Sequence, residues 1–135
     1  LVTAALLLLS GHFVGCEPEN WILNPDCNEC FGFQPDTAKL IVYLTIDQDH
    51  LSVPLTFYRE NEQGEVDWRD TATGTEFYLD AAIGKTYAVR AEYRSGPGTI
   101  IAYDSDVMRL SDYGDECGDP CYIVKGGILD LRLKD

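Results

Sequence analysis

Five cysteines, two histidines and 23 carboxylates supply most of the reactive side chains in this 135-residue chain. His50 stands among Asp47, Asp49 and Ser52, the residue types of a Ser–His–Asp relay. Such relays draw their members from separate segments around an oxyanion hole. One short loop does not supply that, and no G-x-S-x-G elbow is present. His50 is therefore read as a solvated loop residue. Asp104 and Asp106, and the acidic stretch 112–116, offer oxygens for calcium, which takes about six to eight of them. Neither has the EF-hand spacing, and solvated acidic loops are the plainer reading. No carboxylate pair is set apart as acid and base, so the chain is read as non-catalytic.

Four cysteines form two close pairs, Cys27 with Cys30 and Cys117 with Cys121. Outside the cytoplasm paired thiols oxidise, and four cysteines allow about three connectivities. Bridges joining one pair to the other are favoured, because the pairs precede the first and last strands. The alternative is a structural zinc held by all four thiolates; otherwise no cofactor is expected. Tyr58 and Tyr78 face away from the expected core by alternation. With Trp68 they form a candidate sugar-stacking set, against which stands the ordinary use of aromatics in cross-strand pairs.

The fifth cysteine has a different setting. Residues 1–9 are apolar except for Thr3, too short to span a bilayer, which needs about 20 residues. Their length suits the apolar core of a secretory signal. No basic segment precedes them, so the signal is read as N-terminally incomplete. Phe13-Val14-Gly15-Cys16 resembles a bacterial lipobox. The resemblance implies acylation of the Cys16 thiol, cleavage before it and a mature chain anchored by lipid. Glu17 and Glu19 resemble the acidic sorting residues of lipoproteins, whose meaning differs between bacterial groups, so inner membrane, outer membrane and cell surface stay open; the outer membrane or cell surface is the favoured expectation.

No charged side chain falls in residues 1–15, so the whole net charge of -13 belongs to residues 16–135. That balance excludes non-specific nucleic-acid binding, which needs Lys and Arg to neutralise phosphates. It also excludes a polybasic membrane surface. Residues 16–36, with Pro18, Pro25 and Pro35, read as the lipidated Cys and a tether.

From residue 37 to 135 the apolar period is two. Leu40, Val42 and Leu44 alternate with Ile41 and Tyr43, so this strand is expected to be covered on both faces. Further strands are expected at 53–58, 65–70, 75–80, 86–93, 99–103 and 129–133. Pro54, lacking an amide donor, belongs at an edge or a strand start. The sum is all-β, a single seven-stranded Greek-key β-sandwich.

Gly84-Lys-Thr-Tyr87-Ala-Val89, with Leu79 upstream, resembles the tyrosine corner of fibronectin-type, Ig-like and prealbumin-like sandwiches. The resemblance implies a Tyr87 hydroxyl bonded to upstream backbone. Val53-Pro-Leu-Thr-Phe-Tyr58 is similar to carboxypeptidase-regulatory and CnaB modules of the prealbumin-like group. CnaB-like modules would place an isopeptide bond near Lys39 and Asp130, but the last strand offers no Asn, and a surface ion pair is expected instead. The expectation is a lipid-anchored interaction or envelope-structural module outside the cytoplasm, with an envelope protein or glycan as partner. A carbohydrate- or small-ligand-binding module is the alternative.

Overall fold

The computed structural model describes residues 25–61 and 63–134; the apolar leader and Cys16 lie outside the described residues. Nine strands follow in order: β1 (Thr37–Tyr43), β2 (Val53–Arg59), β3 (Val66–Ala72), β4 (Glu76–Ala82), β5 (Thr86–Ser95), β6 (Gly98–Val107), β7 (Arg109–Asp112), β8 (Tyr122–Lys125) and β9 (Ile128–Asp130). One short helix, α1 (Gly114–Cys117), joins β7 to β8. No described helix is long and apolar enough to cross a membrane.

The strands form three sheets, ordered β4-β1-β9, β3-β2-β5-β6 and β7-β8. Each of the seven period-two segments of the sequence holds a strand. β7 and β8 add two that alternation alone does not reveal, because each is four residues long and they flank a Gly-, Asp- and Cys-rich stretch. The expected count of seven is therefore corrected to nine strands in three sheets.

Alternation builds the core directly. Leu40 and Val42 of β1 and Leu129 of β9 join Val53, Leu55 and Phe57 of β2 and Val89, Ala91 and Tyr93 of β5 in one buried cluster. The two larger sheets thus share a single apolar interior. Fully burying side chains of this size contributes about 1.5–3 kcal/mol each. No charged or polar residue is buried among the described residues. Ile41 and Tyr43 are only half-buried, which corrects the expectation that β1 is covered on both faces. Pro54 sits second in β2, just before the β2–β5 ladder begins at Leu55 opposite Ala91.

β1 and β9 run parallel, with Val42 opposite Leu129. Beyond Asp130 the ladder stops, but the Leu131 amide still donates to the Tyr43 carbonyl at 2.9 Å and its side chain is fully buried. The Ser95–Gly98 hairpin closes through Gly96, whose φ of 57° suits the first position of a tight two-residue loop.

The strand directions give the molecule two distinct ends. At one end lie the start of β1, the 83–85 turn, Met108 and Gly126-Gly127, tied by Ile83 N–H to Asp36 O and Gly84 N–H to Met108 O. At the other lie the 44–52 loop, the 73–75 turn and the Gly96-Pro97 turn. The N-terminal segment joins the first end.

Candidate functional site

The segment 25–36 is fixed to the body over most of its length. Residues Cys27–Glu29 form a 3-10 turn, capped by the Asp26 carboxylate, which accepts the Asn28 amide. Phe31 exchanges two backbone bonds with Tyr122 at 2.8 and 3.0 Å, and Pro35 is buried. On the opposing side, Tyr113 N–H donates to the Cys121 carbonyl at 2.8 Å, which fixes α1 and the start of β8. These contacts bring the four sulfurs together. Cys27 is bonded to Cys117 and Cys30 to Cys121, with Cα separations of 5.4 and 4.9 Å.

The bridges therefore run between the pairs, across sequence separations of 90 and 91. The sulfurs of Cys30, Cys117 and Cys121 lie within 4.8 Å of one another. A zinc ligand is a thiolate, so a metal would find its ligands here only after both bonds were reduced.

At the opposite end, His50 is not the solvated residue expected. Its side chain is only 13% exposed and stands edge-on to the Tyr93 ring at 5.4 Å. Nδ1 lies 2.9 Å from the Asp47 carboxylate and Nε2 lies 3.0 Å from the Arg94 carbonyl. Both partners are acceptors, so the ring makes both bonds when each nitrogen carries a proton. Ser52 takes no part, and the Ser–His–Asp set of the sequence is not assembled. Asp47 also accepts the amides of Asp49 and His50. Desolvation pushes its carboxyl up, but the His50 ring and the two amides outweigh it, and its pKa lies below the ordinary range.

Beneath His50, Tyr93 organises the same end. Its hydroxyl donates to the Leu131 carbonyl at 2.6 Å and accepts from the Thr45 amide at 3.1 Å. Thr45 in turn accepts the Leu133 amide through Oγ1. The 44–52 loop, β5 and the C-terminal segment are thus joined through one phenol. Tyr93 falls at the end of the strand expected at 86–93, but alternation does not reveal this role, because its partners lie 38 and 48 residues away.

The candidate calcium ligands are occupied by the backbone. Asp104 accepts the amides of Ser105 and Asp130 at 2.8 and 3.0 Å. Asp106 accepts those of Val107 and Gly127 at 2.8 and 2.7 Å. The two carboxylates bind the outer edge of β6 to β9 where no strand ladder joins them. Gly127 is required there: its φ is 85°, and a Cβ would lie 2.5 Å from Met108 Cγ.

Lys39 pairs with Asp80 at 3.1 Å, while Asp130 binds Arg132 at 2.8 and 2.9 Å. Lys39 and Asp130 are not opposite one another, since the β1–β9 register sets Tyr43 against Asp130. The Tyr87 hydroxyl accepts the Ala82 amide at 2.9 Å, across the turn containing Gly84. Tyr58 and Tyr78 are not brought together. Tyr58 lies in the four-stranded sheet and is 8% exposed, whereas Tyr78 lies in the other sheet and is 52% exposed. Trp68 stacks on Phe57 at 5.5 Å and covers the open edge of the core beside Phe77.

Tyr78 does have apolar neighbours on its own sheet. Register sets it beside Ile41 and Ile41 beside Ile128, giving a row across all three strands. Ile128 is 55% exposed. No known protein family matches this chain, and neither does any curated protein or solved structure.

Proposed function

We propose that this chain is an extracytoplasmic lipoprotein, held to a bacterial membrane through an acylated Cys16, whose folded head acts by binding rather than by catalysis. The observation that carries this reading is the pair of disulfides Cys27–Cys117 and Cys30–Cys121. Structural disulfides persist outside the cytoplasm and are rare within it, which agrees with the lipobox-like Phe13-Val14-Gly15-Cys16. The head is read as a Greek-key sandwich of the prealbumin-like or Ig-like kind. Supporting that are the seven strands of the two facing sheets and the bond from the Ala82 amide to Tyr87. On this reading β7, α1 and β8 are an addition that carries half of each disulfide.

The non-catalytic role is supported by the engagement of His50, Asp104 and Asp106 in holding loops and edges together. The disulfides fix the tether at one end, leaving the His50 loop facing away from the anchor. An envelope protein is the favoured partner. The exposed Tyr78–Ile41–Ile128 row favours a second reading, a surface that binds a sugar or small ligand. Crosslinking in intact cells followed by affinity capture tests the choice. A specific crosslinked protein is expected; recovery of glycan alone would transfer the assignment to the second reading, and recovery of neither would overturn both.

A further inference from the structure

The smallest sheet sets two cations against each other. In the β7–β8 register Arg109 lies directly opposite Lys125, so both side chains leave the same face, and like charges placed this way repel. The described ion pairs involve Lys39, His50, Arg59, Arg90 and Arg132; neither Arg109 nor Lys125 is neutralised by a carboxylate among the described residues. The Lys125 ammonium stands 4.9 Å from the centre of the Tyr113 ring, which orients the charge without cancelling it. Ser111 lies two residues along β7 from Arg109 and so shares its face. Its hydroxyl makes no hydrogen bond among the described residues.

These three side chains line a cleft of about 920 Å³ between the end of β6 and the β7–β8 sheet. Gly126 forms part of its wall with a φ of 82°, where a Cβ would come within 2.6 Å of the Val107 carbonyl. One carboxylate, Asp106, also borders the cleft; its oxygens accept the Val107 and Gly127 amides, and its single negative charge leaves the two cations in excess. What remains for a ligand is a guanidinium fork, an ammonium and a hydroxyl. The complement of that set is a compact, multiply charged acceptor. On a chain of net charge -13, most of the surface repels such a group, so its binding needs a local cation pair of this kind.

We propose that the Arg109–Ser111–Lys125 cleft binds a phosphate group, as a free anion or as the monoester of a larger molecule. The arginine fork makes paired hydrogen bonds to two phosphate oxygens, and lysine adds a point charge. The site needs neither acylation nor the membrane, so it stands or falls separately from the lipoprotein reading.

Amide chemical shifts of the oxidised chain, titrated separately with inorganic phosphate and with glycerol 3-phosphate, test it. Saturable shifts are expected at residues 106–111 and 122–127. Lys125→Gln should weaken binding by about tenfold, the loss of one charge-assisted hydrogen bond, and Arg109→Gln, which removes the paired bonds of the fork, by at least as much. Arg69→Gln, an exposed arginine of β3 with no ion pair among the described residues, should leave it unchanged. Tighter binding of the ester identifies an esterified source such as a lipid headgroup, and equal binding identifies the free anion. Absence of saturable shifts with both probes would overturn the proposal. So would equal weakening by Arg69→Gln, which would mark a response to net charge alone.

Discussion

Removing the two disulfides one at a time and together should reveal a strong coupling between them. On the chain-entropy view, a bridge spanning a separation of 90 restricts the unfolded chain by about 4.5 kcal/mol. The second bridge does not repeat that effect. Once Cys27 is joined to Cys117, Cys30 and Cys121 close only a short ring through residues 27–30 and 117–121. That restriction is worth about 2.5 kcal/mol on the same relation. Cys27→Ser/Cys117→Ser and Cys30→Ser/Cys121→Ser should therefore each lose about 2.5 kcal/mol, because the surviving bridge still closes the long loop. Replacing all four should lose about 7 kcal/mol, roughly 2 more than the two losses combined. Domains of this size are stable by about 5–15 kcal/mol, so the fully substituted chain should be marginal. Equilibrium urea unfolding followed by tryptophan fluorescence provides the comparison. Losses of about 4.5 kcal/mol for each pair that simply add would refute the shared-loop reasoning.

Three further outcomes follow from named contacts. Asp106→Ala should lower stability by about 1–3 kcal/mol, since the Gly127 amide loses its acceptor; the loss should be the same with and without calcium in a thermal melt, and calcium dependence would restore a metal role. Tyr93→Phe should cost about 1–3 kcal/mol by leaving the buried Leu131 carbonyl unpaired, and a melting temperature unchanged from the parent would contradict the central place given to this phenol. The Arg132 side chain and amide hold the Asp130 pKa down to about 2. A depressed carboxylate stabilises the fold above its unfolded value, about 3.9, and that contribution is lost as pH falls towards 2. Because the pair is exposed, the effect should stay below about 1 kcal/mol; Asp130→Asn should flatten the urea midpoint between pH 4 and 2, and an unchanged slope would count against it.

Strands were legible where one face is buried, because a period of two then admits only one register. Leu40 and Val42 in β1 and Val89 and Ala91 in β5 carry that signal plainly. β7 and β8 carry too few residues to show a period, and their placement depends on disulfides and on the Phe31–Tyr122 bridge. The inter-pair disulfides were legible because the cysteine pairs flank the first and last core strands. The surroundings of His50 were not, since the Arg94 carbonyl that buries its Nε2 comes from 44 residues further along. The setting of Asp104 and Asp106, read as solvated with calcium the alternative, was hidden for the same reason: besides the amide of the next residue, each serves one 26 or 21 positions away. Local composition identifies a group's chemistry, but whether that chemistry is free depends on contacts made at long range.

The mass of the N-terminal peptide recovered from cell membranes, after growth with a labelled fatty acid, bears most directly on the proposed role. A chain beginning at Cys16 and carrying labelled acyl groups is expected, with both label and membrane retention lost in Cys16→Ser. An unmodified Cys16, in a chain that stays in the membrane fraction after Cys16→Ser, would contradict the lipoprotein assignment.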